Sequence, residues 1–397
     1  MRKIEKYIRR IRRVINQILI VIFNRIFNIV MPLKENRVLF LSDERQELGG
    51  NLKAVYDFLP NSQYEKVISL KANRNEKRGF KQKIELIKYL STSKYILLED
   101  LVQATSHLNV RKGQELIQLW HGPGAFKRFG HSREASDLKR IHKGYKNYTR
   151  VITSSEAIRP CYAEAFAVSM DKVKATGIPR TDIFFDKQYI QNKKEELYHE
   201  YPFLKGKKVI LFAPTYRGTQ FTDAHYEIEN LDLEEIYNQF SKQNYIFIFK
   251  WHPFLYNNIA ETQTNQYDEY KKYPDFYYDL SKERDINDFL LVTDILITDY
   301  SSVIFDYVLV NKPIIYFTYD YEDYVENGRG LYFPFEEYVY GTVAKNSVEL
   351  VKAIANPAME EEKRAKFIEK FMSACDGKST QKVVNWIFEK GKIERTK

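Results

Sequence analysis

Apolar positions along the chain follow two periods. Over the first 31 residues Ile4, Ile8, Ile11, Ile15, Leu19 and Ile22 recur at three- and four-residue spacings, which predicts a helix, and Pro32 ends it. From residue 37 the pattern changes to short apolar runs bounded by turn residues. Arg37–Ser42, Lys66–Leu70, Tyr95–Glu99, Glu115–Trp120 and Arg150–Ser154 read as strands. Helices are predicted from Asn51, near 81–90 and over 155–168. The turn Gly177–Asp182 and a charged helix over 187–201 separate these from a second series. There Lys207–Phe212, Tyr245–Phe249, Asp294–Thr298 and Pro313–Phe317 read as strands, with a helix over 303–310 and helical sequence from about 347. Strands alternating with helices at this spacing predict an α/β fold with mainly parallel, doubly wound sheets. The restart predicts four parts: a helix over 1–32, domains over 33–185 and 186–375, and a terminal helix over 376–397 that can cross back to the first domain.

A chain of 397 residues suits two or three domains of roughly 100–200 residues each. The net charge of +9 favours anionic partners: phosphates, nucleic acid or an anionic membrane. Two distant cysteines, Cys161 and Cys375, exclude a disulfide framework and a Cys-rich zinc site, which fits a reducing cytosol. Arg2, Lys3, Lys6, Arg9, Arg10, Arg12 and Arg13 crowd the start of the first helix, and its longest unbroken apolar run is Ile18–Phe23. A spanning helix needs about 20 mostly apolar residues. No small-residue cleavage site marks a signal peptide. The segment reads as a basic amphipathic helix on an anionic leaflet, with a basic helix packed on its own protein or a poor transmembrane anchor as the alternatives. Aromatics and lysines interleave over 267–278, but the strongest basic cluster adjoins an apolar helical face, which suits lipid better than nucleic acid.

Candidate chemistry gathers where strands end. Trp120-His121 closes one strand and runs into Gly122, Pro123 and Gly124, followed by Lys127 and Arg128. His121 reads either as a core histidine or as a functional group at the carboxyl end of a sheet, where ligands bind in open α/β folds. Three strand ends in the second half deliver Thr215, Tyr216 and Arg217, then Lys250 and His252, then Asp299, Ser301 and Ser302. The serines read as plain N-caps or, beside so many basic groups, as a phosphate site. There is no G-x-G-x-x-G after the first strand and no metal-ligand spacing, so neither dinucleotide nor metal is expected.

The ordered series Gly50–Tyr56, Gln118–Gly122 with Lys127, Gly177–Asp182, Phe212–Arg217, Lys250–Pro253, Thr298–Asp306, Lys312–Ile315 and Arg329–Phe333 resembles the CDP-glycerol glycerophosphotransferase family of teichoic acid biosynthesis. The resemblance spans about residues 36 to 390. It implies a GT-B fold of two Rossmann-like domains, the acceptor on the first and the CDP-linked donor on the second. It also implies transfer of glycerol phosphate from CDP-glycerol, without a cofactor, to an undecaprenyl-diphosphate-linked disaccharide or its glycerol-phosphate-extended form. The setting would be the cytoplasmic face of the cell membrane, with self-association left open. His121 and His252 match the family's functional histidines. Gly122, Pro123, Gly124, Lys127, Arg180, Thr215, Tyr216, Arg217, Lys250, Ser301, Ser302, Asp306, Arg329 and Gly330 are the expected substrate-binding residues. Relatives commonly carry Gly-Thr-Pro where this chain has Gly122-Pro123-Gly124. The chain lacks the long extra amino-terminal region of some polymerases, which favours a priming or short-chain enzyme. A CDP-ribitol enzyme, a GT-B glycosyltransferase using a nucleotide sugar and a non-catalytic membrane-docked binding protein are the alternatives.

In the expected mechanism an acceptor hydroxyl attacks the β-phosphorus and CMP leaves. His121 is the general base, while His252 and Lys250 bind the diphosphate.

Overall fold

A computed structural model describes residues 2–72, 76–133, 144–218, 223–283, 285–327 and 330–388. They form two compact units. The first takes its described residues from 2–122, 129–182 and 374–388, and the second from 123–128 and 183–373.

The first unit carries a six-stranded parallel sheet in the order β2-β1-β3-β4-β5-β6. Its strands are β1 (Lys34–Ser42), β2 (Glu65–Leu70), β3 (Ser93–Leu98), β4 (Glu115–Gln118), β5 (Arg150–Thr153) and β6 (Val173–Ala175). Val38, Leu39, Phe40 and Leu41 are all fully buried, as consecutive strand residues are only when both faces of a sheet are covered.

The second unit repeats the plan in the order β12-β11-β10-β7-β8-β9. Its strands are β7 (Lys208–Phe212), β8 (Tyr245–Phe249), β9 (Tyr277–Asp279), β10 (Ile295–Thr298), β11 (Ile314–Phe317) and β12 (Thr342–Ala344). Its core is rich in aromatics. Phe212, Phe247, Phe249 and Trp251 pack with ring centroids 5.1–5.9 Å apart. The expected α/β class with parallel sheets is the observed one, two Rossmann-like units as in GT-B proteins.

In each sheet the winding direction reverses once, between β1 and β3 in the first and between β7 and β10 in the second. Loops leaving adjacent strands diverge at such a point and open a crevice at the carboxyl edge.

Helix α1 (Arg2–Val30) packs on helix α2 (Phe80–Thr92) through polar contacts. Asn24 is buried, donating to Ser91 Oγ at 2.8 Å and accepting from the Asn109 amide at 2.8 Å. Asn28 donates to Asn109 O at 2.9 Å, and Asn16 accepts from Lys83 Nζ at 2.9 Å. The same helix leaves Ile11, Ile15, Ile18, Ile22, Ile26 and Ile29 between 41% and 85% exposed. Among the described residues no helix is long and apolar enough to cross a membrane.

Candidate active site

At the crevice of the first sheet the strand ends are locked by buried polar groups. Ser42 Oγ donates a short hydrogen bond to Asp100, whose carboxylate also accepts from the Asp43 amide at 3.2 Å. Burial pushes the Asp100 carboxyl up to about 6, against the pull of those two donors. Arg45 pairs with Glu99, both buried.

His121 lies beside this crevice. Strand β4 ends at Gln118, two residues earlier than the apolar run suggested. Trp120 turns the chain with φ +50°, a left-handed conformation costly for a bulky residue. Its surroundings fix that turn. The Trp120 amide donates to Gln118 Oε1 at 2.8 Å, its carbonyl accepts from Asn51 Nδ2, and its ring stacks on Phe129 at 5.0 Å. The exposed His121 ring then lies 4.4 Å from the Trp120 ring, with Nδ1 2.9 Å from the carbonyl oxygen of Glu99. A carbonyl can only accept, so Nδ1 carries a hydrogen, and in the neutral ring Nε2 does not. Arg180 donates through Nη1 to His121 O, and its amide donates to Asn51 Oδ1 at 3.0 Å. Tyr162 OH donates to Gly122 O at 2.6 Å. Sequence reasoning passed over Asn51 as a site residue, and it missed Glu99 and Tyr162. An asparagine at the start of the helix that follows a strand loop was the available signal.

The crevice of the second sheet is organised by Asp299. Its Oδ1 accepts from the Thr215 amide at 2.8 Å and the Tyr300 amide at 2.6 Å, and its Oδ2 accepts from Arg217 Nη1 at 2.8 Å. Arg217 also grips Asp320 through Nη2 at 2.9 Å and lies 5.1–5.6 Å from the rings of Tyr226, Tyr300, Tyr319 and Tyr324. Burial opposes its charge, but Asp299 and Asp320 outweigh burial and hold the guanidinium charged. The arginine expected to meet phosphate is thus engaged inside the unit. Lys250 has a similar role. It is buried, and Nζ donates to Leu280 O at 2.9 Å and to Glu283 O, tying the end of β8 to the loop after β9.

His252 caps the helix Pro253–Thr262, its Nδ1 accepting from the Phe254 amide at 3.1 Å. An amide can only donate, so Nδ1 is bare and Nε2 carries the hydrogen. The Tyr216 ring packs 4.6 Å from the imidazole and is itself buried. Ser301 Oγ lies 3.4 Å from the Val303 amide, and Ser302 is exposed. The helix they precede is Val303–Tyr307, five residues where eight were expected, so it adds little dipole. Asp306 is buried and accepts from Asn287 Nδ2 at 3.0 Å, which makes it a fastener of this helix.

Residues 123–128 belong to this second unit although they follow His121 directly. Gly124 has φ +67°, and a Cβ there would lie 2.2 Å from the Phe305 ring, so only glycine fits. Ala125 O accepts from Tyr338 OH at 2.6 Å, Phe126 O from the Tyr332 amide at 3.0 Å, and Gly330 O from the Arg128 amide at 3.0 Å. Lys127 Nζ reaches 3.4 Å from Thr215 Oγ1. Buried Pro123 and left-handed Gly330, with φ +70°, lie on the same framework. Arg329 lies outside the described residues. Among the described residues no three His, Cys, Asp or Glu side chains group as metal ligands would.

Two Rossmann-like units each carry a histidine and cations at their strand ends, where open α/β sheets bind ligands. The family model described as CDP-Glycerol:Poly(glycerophosphate) glycerophosphotransferase matches residues 22–389, and the chain belongs to that family. The chain is 41% identical over 362 residues to a teichoic acid poly(ribitol-phosphate) polymerase of Bacillus spizizenii, covering 90% of this chain but 57% of that protein. It is 32% identical over 320 residues to a teichoic acid glycerol-phosphate primase of Bacillus subtilis, covering 77% of each. A solved structure of the wall teichoic acid polymerase TagF superposes with a TM-score of 0.76 at 22% identity, over 97% of each chain, a likeness of fold.

Proposed function

We propose that this chain transfers a polyol phosphate from a CDP-polyol to a membrane-lipid-linked acceptor, releasing CMP. The observation that carries the reading is the pair of Nδ1 contacts, a carbonyl oxygen on His121 and an amide N–H on His252, which favour opposite tautomers of the two neutral rings. With Nδ1 facing the Glu99 carbonyl, the neutral His121 ring carries no hydrogen on Nε2, which suits that nitrogen to take a proton. His252 presents Nε2–H, suited to donate to a phosphate oxygen. An acceptor hydroxyl oxygen attacks the β-phosphorus while its proton passes to His121 Nε2. The bond from the β-phosphorus to the bridging oxygen breaks, and the electron pair leaves on CMP. The His252 Nε2–H hydrogen bond offsets charge on the diphosphate as it separates.

Glycerol stood first in the reading of the sequence. The greater identity and coverage of the ribitol-phosphate polymerase favour CDP-ribitol, so both donors enter the test. Purified chain is supplied with CDP-ribitol or CDP-glycerol and an undecaprenyl-diphosphate-linked disaccharide, bare or already primed with polyol phosphate. CMP release and product length are measured. Release from CDP-ribitol well above that from CDP-glycerol is expected. UDP release from a UDP-sugar under the same conditions would instead make the chain a glycosyltransferase. The exposed isoleucines of α1 and the basic residues of its first half support attachment to an anionic membrane surface.

A further inference from the structure

We propose that Lys127 binds the diphosphate of the nucleotide donor and serves the second unit, although it follows His121 by only six positions in sequence. The inference rests on the nucleotide-donor reading given above and adds a specific ligand to it. Three observations carry it. First, segment 123–128 is anchored to the second unit by its backbone and by the Gly124–Phe305 contact. Second, Lys127 Nζ stands 3.4 Å from the Thr215 hydroxyl and 5.9 Å from the centre of the Tyr324 ring. That places the ammonium at the loop leaving β7, where the winding of the second sheet reverses.

The third observation is the charge at that edge. Among the described residues the ion pairs of Asp299 and Asp320 run to one guanidinium, Arg217, so two carboxylates share a single positive charge there. Lys250 is directed to backbone carbonyls of the loop beyond β9. A diphosphate adds two or more negative charges, which two carboxylates would repel unless another cation met them. Lys127 is half-buried, on a flexible stem, and within reach of the same loop.

The test is calorimetric binding of CDP and CMP to the full chain and to Lys127→Ala, Lys127→Arg and His121→Ala. Lys127→Ala is expected to weaken CDP by about 10- to 100-fold, as loss of a charge-assisted contact does, and CMP by less. Lys127→Arg should recover much of the CDP affinity, which a packing role would not predict. His121→Ala should bind CDP as wild type does. Unchanged CDP affinity in Lys127→Ala, or no recovery with arginine, overturns the assignment. If wild type binds UDP as tightly as CDP while Lys127→Ala weakens both, the cytidine donor fails and the diphosphate role of Lys127 stands.

Discussion

At the scale of single residues, what matters is which nitrogen of each imidazole is already spent. His121→Ala should lower turnover by about 10²–10⁴-fold, the usual cost of one acid–base group. For His252 two roles must be separated, because Nδ1 also caps a helix. His252→Ala should lose activity and about 0.5–2 kcal/mol of stability. His252→Asn keeps an acceptor at the cap and should recover the stability while remaining impaired in turnover. Melting temperature and initial rate measured on both variants check this, and restored activity in His252→Asn would remove the Nε2–H from the mechanism. Asp100 makes a different claim. Its carboxyl is held near 6 in the folded chain against an ordinary 3.8. Between those values the folded protein keeps a proton that the unfolded chain has lost, so stability falls as pH rises through this window. Above it the loss reaches about 3 kcal/mol. Asp100→Asn cannot titrate. Urea unfolding of both proteins at pH 3.5 and pH 7 should show wild type losing ground to the variant at the higher pH. An equal gap at both pH values would mean the carboxyl is not held up by burial.

At the scale of elements, legibility in the sequence followed length. Strands of four residues or more, such as Tyr245–Phe249, were readable because an apolar run bounded by turn residues needs only local information. The three missed strands, β6, β9 and β12, are three residues each, and β6, β9 and β12 lie at sheet edges, where pairing on one side suffices. In α1 the helical period was legible, but the polar residues that dock it were not. Asn24, which ends the apolar run Ile18–Phe23, and Asn28 are the helix's docking contacts, and the isoleucines around them face outward. From Ile11 to Ile29 this ridge runs about 27 Å at 1.5 Å per residue. Replacing Ile15, Ile18 and Ile22 by Asp should therefore leave melting unchanged while reducing co-sedimentation with anionic liposomes about tenfold or more. If the triple variant sediments like wild type, the ridge is not the membrane contact.

At the scale of the whole molecule, the chain does not divide at one point. A single boundary near 185 accounts for the repeat of the pattern but not for residues 123–128, whose partners Tyr338 and Gly330 lie some two hundred positions away. No local pattern reveals such partners, because Lys127 follows His121 in sequence while its segment is held by residues of the second unit. The carboxyl-terminal segment raises the same issue for stability. Asp182 accepts from the Ser379 and Thr380 amides at 2.9 and 2.7 Å, and Arg150 donates to Trp386 O at 2.7 Å. The Phe388 ring lies 5.1 Å from Tyr64 and 4.5 Å from Tyr95. Val383, Val384 and Ile387 are buried in the first unit. At about 1.5–3 kcal/mol for each of those three side chains, removing residues 374–397 withdraws an amount comparable to the net stability of a domain. The truncated chain should then lose hydrogen-exchange protection over β3 and β5 while β7 and β10 stay protected, because the second sheet and its Asp299–Arg217 network are built from residues 183–373. Protection retained over β3 and β5 would mean that the first unit folds without its terminal helix, and loss over all four strands would mean that the second unit depends on the first.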